Sequence, residues 1–175
     1  MSFIPLPVDT FSGAVETIDW EHSRIHSSKG FLVNGKHTIA NGASLDVLLS
    51  NPAANYPHLR AIEIAATAAP FDACLYEGVT VSANGTAATV KNYNRNSVAV
   101  ANMLAYTGPT VTGTGTELER IVIPGAKQTG GSGFEGAQTE WILKPSTLYL
   151  VRFTNNSGGS ANASIKIFWY EGDDG

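Results

Sequence analysis

Apolar and polar residues alternate in two runs near the C-terminus, over residues 148–154 and 165–171. The apolar positions that share one face are Tyr149, Val151 and Phe153 in the first run and Ile165, Ile167 and Trp169 in the second. A spacing of two is the period of a half-buried β-strand. Residues 155–162 between the runs are rich in Asn, Ser and Gly, which favour chain reversal. The pattern therefore predicts an antiparallel hairpin.

Similar short runs recur along the chain, separated by turn-forming residues. They predict strands over residues 14–26, 31–33, 36–40, 44–49, 59–66, 71–77, 98–106 and 118–123. The alanines within residues 59–66 would also tolerate a helix, but the alternation there favours a strand. Asn34-Gly35 predicts a tight hairpin turn, and Asn41-Gly42 and Asn84-Gly85 predict two further turns. Neither a long helix nor an internal repeat is evident. Roughly eight to ten short strands at this spacing predict an all-β fold, an antiparallel jelly-roll sandwich.

The N-terminal residues 1–12 predict an extended arm ahead of a jelly-roll domain that spans residues 13–175. Pro5 and Pro7 block a helix and favour extended backbone. The apolar side chains between them, which are candidates for a protein interface, are Phe3, Ile4, Leu6 and Val8. Their burial would contribute roughly 6–12 kcal/mol, against roughly 10–20 kcal/mol for ordering ten residues. Several arms engaging together in an oligomer would offset that cost.

Composition narrows the possible functions. Charged residues make up 15% of the 175-residue chain, below the roughly 25% of ordinary domains, so the surface suits contact with other proteins or simply reflects Thr- and Ser-rich strands. The net charge of −4, without a basic cluster, argues against nucleic-acid binding. No apolar run is long enough to span a membrane, and no secretory signal is evident. The single cysteine, Cys74, suggests a core residue and a reducing cytoplasm.

No pattern of residues predicts a reaction. His22 and His26 would share one face of a helix but lie about 13 Å apart on a strand, which we expect here, so one metal ion could not bridge them. Residues 130–133 are glycine-rich but lack the Lys-Ser/Thr of a phosphate-binding loop. The carboxylates are scattered. We therefore expect no catalytic residue, no metal and no cofactor.

The segment 92–96 is the second candidate interface, beside the arm. It is polar and carries Tyr93 and Arg95, residue types that are enriched at interface hot spots and in sugar-binding clefts. An ordinary connection closed by its asparagine side chains explains the same segment equally well.

Several segments resemble jelly-roll structural proteins of tailed-phage virions. They are residues 143–157 and 165–171, the run 75–80, and residues 92–96. Within that group, the resemblance implies a capsid decoration (cement) protein without enzymatic activity. Such a protein is made in the host cytoplasm and resides on the virion. It binds the lattice of the major capsid protein from outside as a homotrimer or dimer and reinforces it.

Two other functions stay open from the sequence. A carbohydrate- or receptor-binding module of a phage tail or fibre would need Trp20, Trp141, Tyr93 or Tyr106 to line an exposed cleft. A jelly-roll enzyme would need a bound metal or a groove with paired carboxylates.

Overall fold

The computed structural model describes residues 20–68, 70–123, 132–134 and 140–172. One helix and fourteen strands lie in these ranges: α1 (Trp20–His26), β1 (Gly30–Ile39), β2 (Ser44–Asn51), β3 (Tyr56–Ala66), β4 (Phe71–Glu77), β5 (Thr80–Ala83), β6 (Thr86–Ala87), β7 (Lys91–Asn92), β8 (Leu104–Thr107), β9 (Thr110–Gly113), β10 (Thr116–Ile123), β11 (Ser132–Phe134), β12 (Trp141–Ile142), β13 (Thr147–Asn155) and β14 (Ala161–Gly172). No helix among these residues is long and apolar enough to cross a membrane.

The strands form two six-stranded sheets that pack face to face. Sheet I has the order β11-β3-β14-β1-β7, with β12 also paired to β3, and sheet II has the order β10-β4-β13-β2-β8-β6. All pairings between these strands are antiparallel. The predicted all-β sandwich is confirmed. Its strand count exceeds eight to ten because residues 80–113 add five short strands.

The two alternating runs near the C-terminus are strands, but they do not form the predicted hairpin. β13 pairs with β2 and β4 in sheet II, whereas β14 pairs with β3 and β1 in sheet I. The two predicted apolar faces meet across the sandwich, and Tyr149, Phe153 and Trp169 are among its largest buried side chains. Alternation identified which face is buried, but it carries no information on which strand is the neighbour.

The predicted hairpin at Asn34-Gly35 is also wrong. β1 continues through both residues, and ten successive positions pair with β14 without a bulge. Asn-Gly permits a tight turn but does not require one, and the long unbroken ladder with β14 holds this pair extended.

Two predicted strands are replaced by other structure. Trp20–His26, part of the run 14–26, is a helix, and residues 14–19 lie outside the described residues. Of the run 98–106, only Leu104 onward is strand. In both places the tertiary surroundings override an alternating pattern, as β-propensity commonly allows.

The insertion between β4 and β10 contains a short repeat that was not predicted from the sequence. Residues 78–86 and 108–116 share the pattern Gly-x-Thr-Val-Ser/Thr-x-x-Gly-Thr. The two copies cross as the two-stranded β5–β9 ribbon, in which Val81 pairs with Val111. Both valines pack on a second apolar cluster on the outer face of sheet II. Cys74 belongs to this cluster, so it is buried as expected.

Candidate interaction surface

One side of the sandwich is incompletely closed. The chain crosses there from sheet II to sheet I, through β6 on β8 and then β7 on β1. Two neighbouring hollows flank this crossing and share Ala88 in their walls. We call this side, comprising residues 33–37, 86–91 and 98–107, the open edge.

The segment 98–104, here called the apolar loop, presents large hydrophobic side chains to solvent at the open edge. Val98 is 98% exposed, Val100 85% and Leu104 50%. Val100 and Leu104 also line an apolar hollow of about 220 Å³ together with Met103. Large apolar side chains exposed together in one short segment are typical of a protein–protein contact site.

A buried carboxylate holds the apolar loop against sheet I. Glu171, on β14, is 4% exposed. Its oxygens accept hydrogen bonds from the backbone N–H groups of Asn102 at 2.8 Å and Met103 at 2.9 Å. The Trp169 indole N–H donates a third bond at 3.2 Å. The loop is therefore held near its C-terminal end, while its two valines are exposed.

The second candidate interface, around Tyr93 and Arg95, begins where β7 ends. Tyr93 packs edge-to-face on Phe168, with ring centroids 4.9 Å apart, and Arg95 is exposed. The buried Asn92 amide donates to the carbonyl oxygens of Ser28 and Ala99. The asparagines therefore do close this connection, which also brings it to the base of the apolar loop.

The arm residues Phe3, Ile4, Leu6 and Val8 lie outside the described residues. The structure thus places the segment of Tyr93 and Arg95 beside the apolar loop, which was not predicted from the sequence as an interface. The sequence pattern did not predict the exposure of Val98 and Val100, because their alternation with Ala99 matches the pattern of a strand face. Pattern alone does not reveal whether a neighbouring strand covers that face.

No protein-family model matches this chain, and no curated protein matches it either.

A polar cluster on sheet I was not selected from the sequence. Glu140 accepts hydrogen bonds from Tyr170, from His58 and, at 3.0 Å, from Arg60. The His58 and Tyr170 rings stack with centroids 4.7 Å apart, and both residues are buried. Burial raises the pKa of Glu140, but the bonds from Tyr170 and His58 and the nearby positive charge outweigh it, so the net pKa is lowered. The carboxylate ties β3 and β14 to the segment ahead of β12.

This lowered pKa makes part of the stability pH-dependent. The contribution of Glu140 is present above the unfolded-state pKa, near 4.5, and is lost as pH falls through the lower folded-state value. We expect Glu140→Gln to lose less stability than the wild type between about pH 7 and about pH 3, by about 1 kcal/mol at most because Glu140 is partly exposed. Urea unfolding midpoints at both pH values measure this. Equal losses in the two proteins would contradict it.

The pair His22 and His26 is closer than the predicted strand would allow. On α1 the spacing of four brings the two Nε2 atoms to 2.8 Å. The predicted strand, and with it the separation of about 13 Å, is therefore wrong. Two imidazoles are still fewer ligands than a zinc site uses. Within the described part of the chain, no group of three His, Cys, Asp or Glu residues could hold a metal.

Proposed function

We propose that this protein is a non-enzymatic structural protein of a tailed-phage virion. It binds the outer surface of the capsid as a homotrimer, with a dimer as the alternative state, and stabilises the lattice. The observation that carries the proposal is the open edge, where Val98 and Val100 are almost fully exposed. Side chains of this size contribute roughly 1.5–3 kcal/mol each when a partner covers them.

The low charge of the chain supports the same function. Charged residues are only 15% of the sequence, and the apolar loop between Val98 and Leu104 contains none. Contacts made by such a surface are mainly apolar and hydrogen-bonded, so dissolved salt screens little of their energy. Several copies bound through one oligomer raise the effective concentration of each contact, which suits a repeating lattice.

Co-sedimentation with empty capsids tests this function. We expect binding to persist from about 0.05 M to about 0.5 M NaCl, because few charges contribute to the contact. Replacing both Val98 and Val100 with aspartate should weaken binding more than about tenfold, as expected from the loss of two apolar contacts.

A matched control is Val122→Asp, since Val122 is also an exposed valine, at 60%, but lies on β10 at the far edge of sheet II. This variant should bind normally. Release of the wild type by moderate salt would contradict the proposal. Equal weakening by the two sets of substitutions would contradict the assignment of the surface.

The carbohydrate-binding alternative gains no support from the aromatic residues that it needs. Trp141 lies on β12 beside β3, whereas Tyr93 follows β7 at the opposite edge of sheet I. Tyr106 is partly buried against the second apolar cluster of sheet II and also lines the hollow of about 220 Å³, whose walls contain neither Trp141 nor Tyr93. The side chain of Trp20 lies outside those that the structure describes, and the other three do not share one cleft.

A further inference from the structure

β1 has an outer edge with hydrogen-bonding groups that no described strand uses. The Tyr93 N–H donates to the Gly30 carbonyl, so the N–H and C=O groups of even-numbered residues of β1 face away from β14. β7 pairs with β1 only at Phe31 and Leu32. Beyond that point, the backbone groups of Asn34, Lys36 and Thr38 face outward along the open edge, where none of the described strands pairs with them. Such an edge is a template for an added strand.

A groove runs beside this edge, between the two sheets. Its volume is about 390 Å³. Val33, Val47, Ala88 and Ile165 supply apolar walls. A strand added to β1 would direct every second side chain into this groove, because side chains alternate between the faces of a sheet.

The N-terminal sequence has the pattern of a strand with one usable edge. Pro5 and Pro7 have no N–H, so they fit only where the backbone faces away from a partner. The even-numbered residues Ile4, Leu6 and Val8 then direct their N–H and C=O groups towards the partner. The prolines leave the far edge unable to accept another strand.

Strand direction decides where these apolar side chains go. The side chains of Asn34, Lys36 and Thr38 are exposed on the outer face of sheet I. Neighbouring strands in a parallel pair have the same orientation, so residues that direct their backbone back towards β1 place their side chains on the opposite, inward face. Parallel addition therefore puts Ile4, Leu6 and Val8 into the groove, whereas antiparallel addition would expose them.

The charges of the two surfaces are complementary. Lys36 and Lys91 lie around the groove. Residues 1–19 carry Asp9, Glu16 and Asp19 and contain neither Lys nor Arg. The acidic segment would thus be attracted to the rim that it has to cross.

Connection handedness favours a second copy as the source of the strand. α1 lies on the outer face of sheet I, where the Ile25 side chain faces Gly30. Viewed from that face with β1 running upward, the geometry of L-residues places the free edge of β1 on the right. A parallel strand there that continued through α1 into β1 of the same chain would make a left-handed crossover, whereas about 98% of such connections are right-handed.

We propose that the free edge of β1 binds residues 3–8 of a second copy of this chain as a parallel strand, with Ile4, Leu6 and Val8 in the groove. This inference rests on the proposed function only in requiring an oligomer. It names the contact between copies, and the experiments that follow contain no capsid. Their failure is therefore distinguishable from a failure of capsid binding.

Cysteine cross-linking tests which copy supplies the strand. A full-length Leu6→Cys chain is co-expressed with a differently tagged Thr89→Cys chain, since Thr89 lines the groove. We expect a disulfide between the two chains at a yield at least about tenfold above that with Val122→Cys, which lies at the far edge of sheet II. A yield no higher than that of this control would overturn the proposal. A chain that carries both Leu6→Cys and Thr89→Cys is tested as well, and a disulfide that forms only within that single chain would also overturn the proposal.

Amide exchange tests the pairing and its direction. We expect the amides of Asn34, Lys36 and Thr38 to be protected in the oligomer and to exchange at least about tenfold faster in Leu6→Asp. Phe3→Asp should leave them protected, because Phe3 faces outward in a parallel strand. The amides of Val33, Gly35 and His37, which face β14, are internal controls that should not change. Unchanged exchange in Leu6→Asp, or faster exchange only in Phe3→Asp, overturns the proposal.

Discussion

Replacing Gly115 with alanine should destabilise the protein by about 3 kcal/mol or more, because two separate penalties combine. Gly115 has a φ of +68°, a conformation that costs an L-residue about 1–2 kcal/mol. A Cβ at this position would lie 2.1 Å from the carbonyl oxygen of Glu77. Backbone must move to relieve such an overlap, and the backbone in question joins β4 to the ribbon. Urea unfolding of the two proteins measures the loss.

Gly108→Ala is the matched control, seven positions earlier in the same copy of the repeat. Its φ of +65° is nearly the same, but a Cβ there has no neighbour within 4 Å. It should therefore cost only the conformational part, about 1–2 kcal/mol. Equal losses at Gly108 and Gly115 would show that the close approach carries no energy.

The repeat also predicts a reciprocal result at Gly85. A Cβ on Gly85 would lie 2.3 Å from the carbonyl oxygen of Thr107, next to Gly108, just as one on Gly115 would meet Glu77, next to Gly78. Each copy of the repeat thus packs its second glycine against the start of the other copy. Gly85→Ala should consequently resemble Gly115→Ala in its effect on stability.

The sequence contains enough to predict the class of fold and much of the core. Side-chain alternation is a local property, and it correctly indicated the buried faces of β13 and β14 as well as a strand over residues 59–66, which lies within β3. Strand pairing is not local. β13 and β14 are consecutive, but each pairs with strands from earlier in the chain, so the hairpin prediction failed.

The candidate surface was only partly predictable for the same reason. Tyr93 and Arg95 were selected by residue type, and their segment does adjoin the open edge. The apolar loop that carries Val98 and Val100 is held through Glu171, which is remote in sequence and accepts hydrogen bonds from the backbone of Asn102 and Met103. A lone glutamate in an apolar strand gives no indication of its partners until the strands are placed.

Glu171 therefore links the stability of the sandwich to the shape of the apolar loop. Removing the carboxylate with Glu171→Ala leaves two backbone N–H groups and the Trp169 indole without their acceptor. Each buried unsatisfied donor costs about 1–3 kcal/mol. We expect a total loss of about 3–5 kcal/mol in urea unfolding, and faster amide exchange at Asn102 and Met103.

Glu63→Ala is the matched control, because it removes a different carboxylate from sheet I. Glu63 pairs with Lys166 at 2.7 Å, but both side chains are about one-third exposed, at 33% and 35%. Such a pair contributes roughly 0–1 kcal/mol, so this variant should unfold almost like the wild type. If Glu171→Ala behaved the same way, the buried carboxylate would not be what fastens the loop. If Glu171→Ala is destabilised as expected, the buried Glu171 side chain fixes the apolar loop at the open edge, which favours a rigid contact surface over a flexible connection.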